Sequence, residues 1–152
     1  MSAPHPLDRH PLDHLVGRPL PGGDWAFGGH ESWLLHDAVH STPEPAAHPI
    51  MAFLVAQRGL GVTVAELFEL FGTDMADGPL LTESTLDLRA DLHPGVRYQV
   101  RGSVVSVQRK SGRTLGVFDL LTARFEVLTP DDPAPVATVT NVYALPRAGA
   151  TR

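Results

Sequence analysis

The chain has 152 residues, 43% hydrophobic and 19% charged, with a formal net charge of −5, which is the size and balance of one globular domain. The acidic excess argues against a nucleic-acid partner, which calls for a basic face to displace phosphate counterions. There is no cysteine, so disulfides, thiolate zinc sites and cysteine nucleophiles are excluded.

Residues 1–32 are rich in Pro, Gly and His and show little periodicity. They read as an extended arm, with at most a short strand near Trp25–Phe27. The opening MSAPHPLDRHPLDHL lacks the basic start and apolar run of a secretory signal. No stretch approaches a membrane span, and a cytoplasmic protein without a membrane partner is expected. His5, His10, His14 and His30 have no ligand spacing of the i, i+4 kind, so they read as solvated loop side chains and no metal is expected.

Residues 33–45 (WLLHDAVHSTPEP) supply one or two helical turns, with Trp33, Leu34, Leu35 and Ala38 toward a core. Pro43 and Pro45 end that segment. In AAHPIMAFLVAQRGLG (46–61), His48 suits an N-cap and Pro49 the first helical position. The run Ile50 to Ala56 is apolar on every side, which predicts a helix buried on every side. Gly59 and Gly61 stop it. A second helix follows, with Thr63 and Glu66 as a capping box. Its apolar face is Val64, Leu67, Phe68 and Phe71, and Gly72 ends it.

From Gly78 the pattern is that of strands. Leu80–Leu88 alternates imperfectly. Val96, Tyr98 and Val100 alternate with Arg97, Gln99 and Arg101. Gly102 is read as a bulge, because Val105 and Val107 continue in the other phase. Ser111-Gly112 predicts a hairpin, and Leu115 to Val127 the next strand. Asp131-Asp132-Pro133 predicts a turn before the last strand, Val136–Leu145. A domain over residues 33–147, with a tail at 148–152, follows. Four long antiparallel strands after one all-apolar helix make an α+β protein in which a curved sheet wraps a long buried helix, the hotdog arrangement.

Three groups of residues are chemically suggestive. Asp37, His40 and His48 place a carboxylate and two imidazoles before the central helix, whose N-terminus offers amides and a positive dipole to a developing oxyanion. The alternative is that His48 caps the helix while Asp37 and His40 sit in solvent. Arg109, Lys110 and Arg113 cluster at one hairpin, as phosphate ligands or as an ordinary solvated turn. Asp119 falls in the inward phase of an apolar strand, which requires a bulge or a buried partner, and a structural role is expected of it. Asp77, in Asp-Gly-Pro, reads as a turn residue, and Glu83 as exposed on its strand.

Several segments resemble the MaoC-like (R)-specific hydratase/dehydratase family, in particular its N-terminal dehydratase-type domains. They are HPIMAFLVAQRGLG at 48–61, the strand-rich stretch from Ala76 to Val127 with its RKSGR and FDLLT pieces, and VATVTNVYALPR at 136–147. The resemblance covers roughly residues 12–147. It implies hydration of an enoyl thioester, or the reverse dehydration, on coenzyme A or an acyl carrier protein, with no further cofactor. It also implies a homodimer, or a heterodimer with another hotdog chain. Catalytic members carry Asp-x-Asn-Pro-x-His before the central helix, whereas the region here reads HDAVHSTPEPAAHP. A non-catalytic subunit beside a catalytic chain therefore stands as an alternative, as does a thioesterase, cyclase or isomerase using the same fold.

Overall fold

A computed structural model describes residues 10–147. The 148–152 tail and His5 lie outside the described residues. A 3-10 turn, Asp13–Leu15, leads into β1 (Pro19–Trp25) and α1 (Gly29–Ala38). The central helix α2 is Met51–Arg58, and α3 is Val64–Leu70. After a second 3-10 turn, Met75–Asp77, come β2 (Leu80–Leu88), β3 (Tyr98–Gly112), β4 (Gly116–Leu128) and β5 (Ala137–Pro146).

One antiparallel sheet holds all five strands in the order β1-β3-β4-β5-β2. The inward residues of its central strands alternate as β periodicity demands: Tyr98, Val100 and Val104 on β3, Leu121, Ala123, Phe125 and Val127 on β4, and Val139, Tyr143 and Leu145 on β5. They pack with Met51, Ala52, Val55 and Ala56 of α2 and with Leu67, Phe68 and Phe71 around α3. This is the α+β hotdog arrangement expected from the sequence.

Four expectations are corrected. First, the arm foreseen over residues 1–32 is, in its described part, built into the domain. β1 is a fifth strand on the edge beside β3, and α1 already begins at Gly29. β1 can lie close to the end of α2 because glycines meet there. A Cβ on Gly61 would sit 2.7 Å from the Gly22 carbonyl oxygen, and one on Gly59 only 2.4 Å from Val100 Cγ2. Second, α2 is eight residues long and is covered on one side only. Ile50 and Leu54 are more than a third exposed and Phe53 is half-buried. An apolar run can have every side greasy while a single sheet covers only the side that faces it.

Third, α1 fully buries Ser32 and His36; Leu35 packs half-buried against the core as expected, but Trp33 and Leu34 are about half exposed and Ala38 is exposed. Fourth, the bulge in β3 lies at Val105, between Val104 and Ser106, not at Gly102. Gly102 is a buried close-approach site, where a Cβ would stand 2.9 Å from the Phe125 ring. The α3 capping box forms as read: Thr63 N–H donates to Glu66 Oε2 at 2.7 Å, and Glu66 N–H to Thr63 Oγ1 at 3.2 Å. Gly72, at φ +71°, ends the unit.

Candidate functional site at the central helix

The segment from α1 to α2 does not join Asp37, His40 and His48. Asp37 closes α1 with its side chain in solvent, and His40 is exposed in a left-handed turn at φ 56°. Among the described residues no hydrogen bond or ion pair links either of them to His48. The imidazole that does face His48 is His36, at 6.0 Å between ring centres and edge to face. His36 is four residues before His40, one turn back and on the buried side of α1. Its Nε2–H donates to the Ala46 carbonyl at 3.1 Å, and its Nδ1 lies 2.7 Å from Ser41 Oγ. It pins the chain leaving α1 to the chain entering α2.

His48 is not the N-cap expected of it, since Ile50 holds that position without a side-chain cap; it makes a turn bond just ahead of the helix. Its Nδ1 accepts the Ile50 N–H at 3.2 Å, so the neutral ring carries its proton on Nε2 and has a donor to offer. The amides that the sequence assigned to an oxyanion are occupied. Met51 N–H donates to the His48 carbonyl, Ala52 N–H to that of Pro49, and Phe53 N–H to that of Ile50, while Pro49 has no N–H. A tight entry turn consumes the donors that a plain α-helical start would leave free. The imidazole is the remaining donor at this end of α2.

Along the next turns of α2 runs a cavity of about 340 Å³, lined by Phe53, Gln57, Val64, Leu67, Phe68, Pro79, Leu81 and Tyr143. Its size is at the lower end of small-molecule sites, and its lining is apolar but for Gln57 and the Tyr143 hydroxyl. Sequence reading missed it because its wall is shared by α2, α3, β2 and β5.

The basic cluster divides in two. Arg109 is not free for a phosphate: its Nε donates to Asp119 Oδ1 at 3.0 Å and its Nη2 to Oδ2 at 3.3 Å. Lys110 and Arg113 are exposed at the tip of the β3–β4 hairpin. Asp119 is wholly buried on β4 and also takes a 2.7 Å bond from Arg147 Nε. His10 Nε2 stands 2.8 Å from its Oδ1, an ion-pair distance without the alignment of a hydrogen bond. Burial works against the charge, but the hydrogen bonds from Arg109 and Arg147 and the close approach of His10 prevail and hold the Asp119 carboxyl at a pKa of about 2. Arg147 also donates to the Phe71 carbonyl, so this carboxylate ties the end of β5 to the end of α3. The buried partner foreseen for Asp119 is thus present three times over. Asp77 makes turn bonds to Asp74 N–H and Thr73 Oγ1, and Glu83 is exposed on β2.

Among the described residues no three His, Asp or Glu side chains are placed to hold a metal ion, and no helix is long and apolar enough to cross a membrane. No family model matches the chain, and no curated protein matches it in sequence. Solved structures do match. A chain of the ChsH1–ChsH2 complex from Mycobacterium tuberculosis is 16% identical, with 88% of this chain and 86% of that one covered and a TM-score of 0.61. HadBC, a 3R-hydroxyacyl-ACP dehydratase complex from the same organism, gives 12% identity, 86% and 96% coverage and a TM-score of 0.65. A MaoC-like dehydratase from Phytophthora capsici gives 12% identity and a TM-score of 0.66; it covers 93% of this chain, which spans 50% of that longer one. With the strand order and the packed helix, these likenesses establish that the chain has the hotdog fold, in the form that MaoC-like dehydratases share.

Proposed function

We propose that this chain is a subunit of an acyl-thioester hydratase/dehydratase. Its substrate would be an enoyl or 3-hydroxyacyl group on coenzyme A or an acyl carrier protein. The observation that carries the reading is the succession of His48, with a free Nε2–H just ahead of α2, and an apolar cavity alongside the turns of α2 that follow. Adding water across a conjugated double bond builds negative charge on the thioester oxygen, and a fixed donor there lowers the barrier. The cavity receives the acyl chain. Lys110 and Arg113, exposed at their hairpin, are the residues left to meet the carrier's phosphates.

The reaction also needs a base and an acid at C2 and C3, and among the described residues no carboxylate reaches His48. This favours a second form of the reading, in which the acid-base pair comes from another hotdog chain and this one completes the acyl site. Two of the structural neighbours are themselves complexes, ChsH1–ChsH2 and HadBC.

Loss of enoyl absorbance from crotonyl and octenoyl thioesters tests both forms. Turnover by the pure protein that falls about a hundredfold or more in His48→Ala identifies a self-sufficient enzyme. An inert pure protein that gains activity with a chain bearing Asp-x-Asn-Pro-x-His identifies the subunit. Absence of turnover in either setting, with no binding of an acyl-coenzyme A, refutes the proposal.

A further inference from the structure

The inward face of β5 reads Val139, Asn141, Tyr143, Leu145, and its two polar members are buried to 0% and 3% exposure. An asparagine in that position is costly unless its amide is satisfied. It is satisfied by a chain of bonds with one direction. Ser84 Oγ–H, across the β2–β5 ladder, donates to Asn141 Oδ1 at 2.7 Å, and Asn141 Nδ2–H donates to the Tyr143 hydroxyl oxygen at 3.0 Å. The hydroxyl has accepted, and its own proton is the one left over. No acceptor among the described residues takes it in a hydrogen bond of normal geometry. The Gln57 side chain lies within reach of it; burial pushes the phenol's pKa up against the opposing hydrogen bond from Asn141 and the nearby Gln57, so the group stays a donor at neutral pH. The ring is held by Phe68 at 5.4 Å and Phe71 at 5.9 Å. Donors earlier in such a chain strengthen the last one.

We infer that the Tyr143 hydroxyl, oriented by Ser84 and Asn141, is a recognition element that binds an oxygen atom carried within the aliphatic chain of the ligand in the Phe53–Leu67–Leu81 cavity. The preferred acyl group is then an oxygenated one, keto or hydroxy, rather than a plain alkyl chain. A wholly apolar chain leaves the last proton of a buried relay only the neighbouring Gln57 amide, with which it makes no well-aligned hydrogen bond, and a site with a poorly paired polar group discriminates between analogues. Gln57 is six residues beyond Met51, about 9 Å along the helix. An oxygen at Tyr143 is therefore several carbons from a thioester bound at His48. The inference rests on the acyl-binding reading for the nature of the ligand.

Calorimetric titration of the full chain with decanoate and with its 6-oxo, 7-oxo and 8-oxo derivatives tests it. At least one keto acid is expected to bind about tenfold more tightly than decanoate, the worth of one good hydrogen bond. Tyr143→Phe is expected to bring the acids within about twofold while retaining decanoate affinity. Val64→Trp, at an exposed position on the cavity wall, is expected to abolish binding of all four. Failure of every acid to bind, equal affinity across the wild-type series, or binding unchanged in Val64→Trp overturns the inference. If Tyr143→Phe does not fold, as judged by its melting curve, the wild-type series and Val64→Trp decide. The free acids carry no thioester, so a failed hydratase assay and a failed keto preference are separate results.

Discussion

At the scale of single residues, the most informative position is Asp119. Its inward phase on β4 was visible in the alternation Val117, Asp119, Leu121, but its partners were not, because His10 and Arg147 come from distant parts of the chain and Arg109 from the register of the facing strand. An ordinary aspartate value of 3.8 lowered to about 2 on folding ties on the order of 2 kcal/mol of stability to the ionised form. The folded value is the depressed one. That stability is therefore complete above the unfolded pKa and is lost as pH falls through the folded one. Melting temperature followed from pH 6 to pH 2 should drop over the range between about 4 and 2. In Asp119→Asn this acid step should be absent, and neutral-pH stability should be lower by about 3 kcal/mol, since Arg109 and Arg147 lose their buried counter-charge. A mutant that melts like wild type at pH 7 would show that the cluster is not a structural tie. The same contrast applies at the site. That His48 stands at the entry to the central helix was legible from its place before Pro49, although Ile50 takes the N-cap position, whereas His36 was passed over, because nothing local distinguishes the buried histidine of α1 from the exposed one four residues later.

At the scale of elements, the apolar run 50–56 and the capping box at Thr63 announced α2 and α3 through local rules. What covers them was set by backbone approach. The crossing of β3 over the end of α2 depends on Gly59, whose absent side chain leaves room for Val100. Gly59→Ala should cost about 1–3 kcal/mol by overpacking. Gly29→Ala, in the first turn of α1 with open space around the new Cβ, should be neutral or slightly stabilising. Urea unfolding of the two variants measures this, and equal effects would mean that the crossing is loose. Strand boundaries were legible to within a residue or two, as Leu80–Leu88 shows. The bulge was misplaced from Val105 to Gly102 because both a bulge and a close approach call for an unusual residue at a phase change.

At the scale of the whole molecule, the structure leaves the β2 edge of the sheet and one helix face open. β2 is exposed along most of its length, with Leu80 and Leu81 more than 40% accessible, and α2 turns Ile50 and Leu54 outward. An unpaired edge strand that begins with two exposed leucines, beside an uncovered helix face, invites pairing, in line with the dimer implied by the family resemblance. Light scattering after gel filtration should give twice the chain mass for the wild type, or one copy of each chain with a hotdog partner. Leu81→Arg combined with Leu54→Glu should give a folded monomer, whereas a wild-type monomer that binds no partner chain would remove the idea. The sequence alone determined the α+β class, the identity of the central helix, the strand periodicities and the inward position of Asp119, because each depends on neighbours within one or two turns of chain. Only the tertiary structure decided that β1 completes the sheet, that α2 is covered on one side, that Asp37 and His40 stand apart from His48, and that Ser84, Asn141 and Tyr143 form a relay. Those facts depend on which segments meet, and a side-chain period specifies a face without saying what will lie against it.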